Sequence, residues 1–145
     1  MNRFILVFRN ILPACLGFFL MAGAVCAQAP EKEKVAVTAA EKWLAMADAG
    51  NYAESWTETA GYFRNAVTPE KLTQSLKAVR EPLGRVISRE VKSTTYATSL
   101  PGLPDGEYVV IRFETAFENK KSAVETVALM IDKDGAWRAC EYRIR

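Results

Sequence analysis

The chain has 145 residues, of which 50% are hydrophobic, 25% charged and 10% aromatic. This composition is typical of one globular domain, and it excludes a collagen-like, disordered or multi-pass membrane protein. The net charge of +2 is too small for a nucleic-acid-binding domain. The absence of histidine excludes Ser-His and Cys-His catalysis and imidazole zinc sites.

Residues 1–27 have the pattern of a secretory signal peptide. A short segment with Arg3 and Arg9 precedes an uncharged run from Ile11 to Ala29, and small residues come before Gln28. We expect cleavage before Gln28, export to the periplasm or the medium of a bacterium, and no membrane contact afterwards. An uncleaved membrane anchor and a lipid anchor are the alternatives.

The mature chain is predicted to be a charged lead-in at residues 28–34, followed by a single domain at 35–145. Only one of the three cysteines, Cys140, lies outside the predicted signal peptide. We therefore expect no internal disulfide and a small buried apolar side chain at Cys140, with a reactive thiol or an intermolecular bridge as the alternative.

Three helices are predicted in the first half of the domain: Val35–Ala49, Tyr52–Ala60, and one that begins after the N-cap Thr68. Gly50 and Gly61 are expected to end the first two helices. The faces that we expect to be buried carry apolar residues at helical spacing: Ala36, Ala40, Trp43, Leu44 and Ala47 on the first helix, and Leu72, Leu76, Val79 and Leu83 on the third.

After Gly84 the period changes to two, which predicts four strands. They are expected at 86–98, 108–118, 124–131 and 137–144, with a bulge in the first strand and a hairpin turn at Asp132–Gly135. This order predicts an α+β fold with three N-terminal helices packed on a four-stranded antiparallel, curved sheet.

Without histidine, a catalytic base in this chain has to be a carboxylate. Glu125 is the main candidate because it shares the parity of apolar strand residues, where burial would raise its pKa. An ion pair with Arg112 or Arg138 is the structural alternative. The other candidates are Asp48, Glu114 and Glu118 as bases, and Tyr96, Tyr108 and Tyr142 as hydrogen-bond donors.

The binding candidates are aromatic residues and one loop. Trp43, Trp56 and Phe63 are candidates for lining a cavity, although aromatics at helical spacing are usually core. The loop at 99–106 offers Leu100, Pro101 and Gly102 as binding residues, and the alternative is that this loop is a plain connection between strands. Tyr108 is expected to face solvent or a partner. We expect no metal and no cofactor, since Arg143 occupies the position where a calcium loop starting at Asp132 needs an acid.

Two stretches resemble known families. Trp43-Leu44, Asp48–Tyr52 and Trp56 resemble the helix pair of nuclear-transport-factor-two-like (cystatin-like) domains. The stretch TSLPGLPDGEYVV at 98–110 is similar to a bacterial exported family, domain of unknown function 4019, and so are further residues: Val79, Arg80, Pro82, Leu83, Gly84, Glu114, Thr115, Glu125, Thr126, Val127, Trp137, Arg138 and Tyr142. The resemblance to domain of unknown function 4019 covers residues 35–145 and implies no activity. The resemblance to nuclear-transport-factor-two-like domains implies a cone-shaped fold.

Three functions are open on the sequence. The first is an exported, non-enzymatic domain that binds a protein partner or a small ligand through the concave face of the sheet. The second is a cofactor-free isomerase or hydratase with Glu125 as base and a tyrosine as donor. The third is an assembly role in which strands pair into a homodimer.

Overall fold

The computed structural model describes residues 28–145, so the predicted signal peptide at 1–27 lies outside the described residues. Helices come first and are followed by one antiparallel sheet, which confirms the α+β class. The elements are α1 Ala29–Asp48, α2 Tyr52–Thr57, α3 Gly61–Ala66, α4 Pro69–Arg80, a 3-10 turn Glu81–Leu83, β1 Val86–Ala97, β2 Tyr108–Phe117, β3 Lys120–Ile131 and β4 Trp137–Ile144. No helix within 28–145 is long and apolar enough to cross a bilayer.

The four strands form one uncurled sheet in the order β1-β2-β3-β4, so the predicted curvature is not confirmed. The predicted bulge in β1 is confirmed by register shifts between Val86 and Ser88 and between Val91 and Ser93. At the far edge, Thr59 forms a parallel bridge with Ala139 in β4. The edge formed by β4 is thus partly covered, whereas β1 has no strand on its outer side among residues 28–145.

Helix α1 begins at Ala29, six residues earlier than predicted, and includes most of the expected charged lead-in. Pro30 suits the first helical turn because it has no amide hydrogen to satisfy there. The first turns are also tied to the sheet: Glu33 accepts a hydrogen bond from the amide of Tyr96 at 3.2 Å, and Lys32 pairs with Glu107. The buried face of α1 is the predicted one.

The end of α1 confirms the predicted glycine cap. Gly50 has φ +78°, and its amide donates to the carbonyl of Ala47 at 3.1 Å, while the amide of Asn51 donates to Met46 at 2.9 Å. These two bonds form a Schellman motif, which satisfies carbonyls that the last helical turn leaves free.

The prediction of three helices was wrong, because Gly61 begins a helix rather than ending one. The chain leaves the helical conformation after Thr57, and Ala60 is extended so that its amide can donate to Ala139 at 2.9 Å. The carboxylate of Asp132 accepts a hydrogen bond from the amide of Gly61 at 2.8 Å and so caps the start of α3.

Helix α4 starts as predicted, with the Thr68 hydroxyl accepting a hydrogen bond from the amide of Lys71. Its buried stripe differs from the prediction at two positions. Val79 is 40% exposed while Arg80 is only 5% exposed, and Leu83 lies beyond the helix in the 3-10 turn and is only partly buried. Leu72, Leu76 and Arg80 are each four residues apart, so the arginine continues the apolar stripe into the interior.

The prediction that Tyr108 faces solvent was also wrong, since its side chain is fully buried. Alternation does place Tyr108 on the face opposite Phe113, but the 98–107 loop folds back over this end of that face. The Tyr108 hydroxyl donates to the carbonyl of Pro104, and Leu100 packs into the same small core with Cys140.

We predict that Gly84→Ala lowers the free energy of unfolding by more than Gly50→Ala. Both glycines have positive φ, which costs any other residue roughly 1–2 kcal/mol. A Cβ at Gly84 would also lie 3.0 Å from Cβ of Glu118, whereas a Cβ at Gly50 would meet nothing within 4 Å. Urea denaturation of both variants measures the difference, and equal losses would contradict the role of the close approach at Gly84.

Candidate functional site

One cluster of polar side chains joins the two long helices to all four strands. We call it the charge network. Its members are Asp48 at the end of α1, Arg80 at the end of α4, Arg89 in β1, Thr115 in β2, Glu125 in β3 and Tyr142 in β4.

Glu125 lies at the centre of the charge network and accepts four hydrogen bonds. Its Oε1 accepts from Arg89 Nε at 2.7 Å and from Thr115 Oγ1 at 2.6 Å. Its Oε2 accepts from the Tyr142 hydroxyl at 2.5 Å and from Arg80 Nη1 at 3.3 Å. Because Glu125 is fully buried, these contacts replace all of its hydration.

Asp48 closes the charge network from the helical side. Arg89 binds it with both terminal nitrogens, Nη1 to Oδ2 at 2.7 Å and Nη2 to Oδ1 at 3.0 Å, and Arg80 Nη2 also donates to Oδ1. Two carboxylates and two guanidinium groups therefore alternate, and their formal charges cancel. Among residues 28–145, no buried side-chain nitrogen or oxygen lacks a hydrogen-bond partner.

The electrostatics fix the protonation of Asp48 and Tyr142. Burial raises the pKa of Asp48, but the hydrogen bonds from Arg89 and Arg80 outweigh burial and hold the pKa below its usual 3.8. Burial and the neighbouring Glu125 raise the pKa of Tyr142 well above its usual 10.0, so the phenol stays protonated and donates a hydrogen bond to Glu125.

Local structure explains why the two helix ends meet here. A carboxylate at the C-terminus of a helix is unfavourable with the helix dipole, so Asp48 needs cationic partners. Arg80 is favourable at the C-terminus of α4, and its guanidinium also lies 5.4 Å from the ring centre of Phe117. The T-shaped contact of Trp43 with Tyr142, at 5.3 Å between ring centres, holds the phenol in place.

The predicted ion pair of Glu125 exists, but the predicted partners were wrong. Arg112 is exposed on the opposite face of the sheet, and Arg138 pairs with Glu58 and Asp134. The sequence does contain signals for the true partners. Arg80 continues the four-residue spacing of a buried stripe, and Arg89 has the inward parity of β1, directly opposite Thr115.

An open cleft of about 300 Å³ borders the solvent side of the charge network. Its walls include Tyr52 and Gly84, and its charged lining is Asp48, Arg80, Glu81, Arg85 and Glu118. Glu125 does not line the cleft, because Arg80 and Asp48 separate it from the opening. A carboxylate held in this way has no free oxygen directed at a substrate.

The other predicted carboxylates and tyrosines lie apart from Glu125. Glu114 is exposed and pairs with Lys92 at 3.0 Å, and Glu118 is exposed beside Arg85. Tyr96 donates to Glu107 at 2.6 Å near the start of α1. The structure therefore brings together only Asp48, Glu125 and Tyr142 of the predicted groups.

The predicted aromatic residues fill the core between the helices and the sheet. Trp43 is buried and its indole nitrogen donates to the carbonyl of Ser55 at 3.0 Å, while that of Trp56 donates to Val67 at 2.6 Å. Phe63 packs against the same core. The inner face of the sheet is thus covered by side chains.

The loop at 99–106 has one inward and one outward part. Leu100 packs inward against the small core under Tyr108, whereas Pro101 and Gly102 are exposed. Gly102 has φ +80°, as the third position of the predicted type II turn requires.

Cys140 is a free thiol and is buried, as predicted. Burial raises its pKa to about 12, so the thiol is unreactive at neutral pH. Within 28–145, no group of three acidic or cysteine side chains is arranged to hold a metal ion.

We predict that Glu125→Gln lowers the free energy of unfolding by about 3–5 kcal/mol, because it leaves two largely buried guanidinium groups with one carboxylate. Urea denaturation monitored by tryptophan fluorescence measures the loss. Glu118→Gln is the matched control, since it removes an exposed ion pair and should leave the denaturation midpoint nearly unchanged. Equal effects of the two variants would mean that the charge network does not stabilise the fold.

We predict that Asp48→Asn weakens the dependence of stability on acidic pH. A carboxyl whose pKa is lowered by folding contributes its full stabilisation above its unfolded pKa, and loses it as the pH falls through the folded value. Below pH 3.8 the wild-type free energy of unfolding should therefore fall more steeply than that of the variant. Urea titrations at several acidic pH values test this, with Asp105→Asn in the exposed loop as control; parallel curves for wild type and Asp48→Asn would contradict it.

Comparison with known proteins gives a family but no function. The family described as "Protein of unknown function (DUF4019)" matches residues 39–142, well over half of the chain. No curated protein and no solved structure matches the chain. The cone-type fold of nuclear-transport-factor-two-like domains stays a prediction. The chain belongs to the DUF4019 family of proteins of unknown function.

Proposed function

We propose that this protein is an exported, non-enzymatic binding domain that pairs an extended segment of a protein partner with the open edge of β1. The single observation that carries the proposal is the contrast between a closed interior and an open sheet edge. The inner face is covered by helices, and the fully buried carboxylate of Glu125 is engaged by four donors. We therefore propose the edge as the binding surface, instead of the face that we expected from the sequence.

The edge of β1 has the features of a strand that accepts another strand. A strand at the edge of a sheet presents unpaired backbone amides and carbonyls, which an extended peptide can satisfy. Two of the large hydrophobic residues that remain exposed lie on β1: Ile87 is 65% exposed and Val91 is 42% exposed. Apolar side chains on an open edge provide pockets and contacts for the side chains of an incoming strand.

The edge is open over only part of β1. Near its C-terminal end, Glu33 of α1 accepts hydrogen bonds from the Tyr96 amide at 3.2 Å and from the Thr94 hydroxyl at 2.7 Å. This carboxylate occupies the position that an added strand would need. The binding segment is therefore residues 86–93, which we call the open edge.

The enzyme hypothesis draws little support from this geometry. A general base needs an accessible oxygen within hydrogen-bond distance of the proton that it removes. Glu125 is sealed behind Arg80 and Asp48, and the cleft beside them presents ion pairs instead of an apolar pocket. A structural role for the charge network accounts for all of its contacts.

Site-specific photocrosslinking in the exporting bacterium tests the proposal. A photoreactive residue replaces Val91 on the open edge, Arg112 on the outer face, Pro101 in the loop or Lys133 in the β3–β4 turn. All four positions are exposed, so the substitutions are matched in accessibility. We expect a covalent adduct with a protein from position 91 and none from position 133.

Two results would overturn the proposal: no adduct from position 91, or adducts from positions 101 and 112 alone. The first would mean that the open edge has no partner, and the second would move the interface to the loop and outer face. The mass of the protein that carries no adduct reports in the same experiment whether the mature chain begins at Gln28.

A further inference from the structure

The charges on the open edge are arranged so that two antiparallel copies of this segment can pair opposite charges. Glu90 and Lys92 flank Val91, and all three side chains are exposed. Within the sheet, Glu90 lies directly opposite Glu114, and the ammonium of Lys92 bonds to Glu114 at 3.0 Å. Like charges that face each other across two strands are destabilising, and the ammonium of Lys92 is a cation that Glu90 shares with Glu114.

We infer that the strand bound by the open edge is β1 of a second copy of this chain, paired antiparallel about Val91. This inference rests on the proposed function and names its partner. In this register Val91 faces Val91, and each Glu90 faces Lys92 of the second copy. Opposite charges that face each other across an antiparallel pair are stabilising.

Neighbouring registers are disfavoured by the same residues. If the two-fold axis of the strand pair passed through Glu90, the two copies of Glu90 would face each other. If it passed through Lys92, the two copies of Lys92 would face each other. A centre midway between Glu90 and Val91 sets Arg89 against Lys92. Among these four registers the charge pattern therefore favours the one centred on Val91, as complementary charges fix pairing in other strand and helix interfaces.

The faces of the two sheets agree with this register. Glu90 and Lys92 lie on the outer face, since both approach Glu114, and Val91 lies opposite Phe113 of the inner face. Residues that face each other across an antiparallel pair project to the same side of the sheet. The pairing therefore joins the two valines on one side and two Glu90–Lys92 ion pairs on the other, in one continuous eight-stranded sheet.

The ladder is short, because two features bound it on the C-terminal side of Val91 and the two-fold symmetry of the pair repeats these bounds at the other end. The register shift between Val91 and Ser93 marks a bulge, and Glu33 already occupies the amide of Tyr96. Bulges and covering side chains limit the length of strand that an edge offers. We therefore expect a weak dimer whose population rises over the micromolar range and falls with salt, because exposed ion pairs are screened.

Sedimentation velocity over a concentration series tests the inference on the mature protein purified after export. The variants are Glu90→Lys, Lys92→Glu and the double charge swap, with Lys133→Glu in the turn at the far side of the sheet as the matched control. Each single change sets like charges against each other twice, by symmetry, and should raise the dimer Kd roughly tenfold or more. The double swap restores opposite charges and should return the Kd close to the wild-type value, and the control should not change it.

Thermal unfolding by circular dichroism checks that each variant is folded, and all the changed side chains are exposed. A protein that stays monomeric at every concentration would overturn the inference, and so would a dimer that is insensitive to the single changes. A monomer that still gives a heterologous adduct from position 91 would leave the proposed function intact and refute only the second copy as partner. A monomer without any adduct from position 91 would refute both.

Discussion

The charge network is the constraint on which the rest of the structure depends, because each strand and both long helices contribute one member. Glu125 is fully buried in β3, and an isolated carboxylate there would be prohibitively costly. Its position is tolerated only while Arg80 and Arg89 approach from α4 and β1. Their contacts hold the C-terminal end of α4 and strand β1 in position against the rest of the sheet.

This arrangement trades apolar burial for geometric specificity. A buried ion pair gains little over a well-packed apolar pair, but it penalises every arrangement that leaves a charge alone. Asp48 extends this penalty to α1, because it is held by both arginines. If either arginine pointed elsewhere, the buried carboxylates would lose part of their neutralising charge. The charge network therefore disfavours packing in which α1 or α4 is misplaced on the sheet.

Within residues 28–145 the buried polar side-chain atoms all have hydrogen-bond partners inside the chain, so the interior offers none of them to a ligand. Since the buried charges are neutralised within the chain and the aromatic side chains fill the core, the proposed binding surface is the backbone at the sheet edge. The two edges are treated differently: Thr59 bridges to β4, and Glu33 covers the last residues of β1. With the Thr59 bridge on β4 and Glu33 on the end of β1, the part of the sheet edge that stays uncovered is residues 86–93.

The sequence by itself determined the elements whose signals are local. The N-cap at Thr68, the glycine cap at Gly50, the buried face of α1, the bulge in β1 and the fourth strand depend on neighbours within a few residues, and all were predicted. Membership of the family was also predicted, and it rests on residues matched along the chain.

Only the tertiary structure decided the rest. Gly61 became a helix start because Asp132 reaches it, Tyr108 became buried because a loop folds over it, and Glu125 found Arg80 and Arg89 instead of the arginines on neighbouring strands. Each of these outcomes depends on contacts between residues distant in the chain, and periodicity carries no information about which distant side chains will meet.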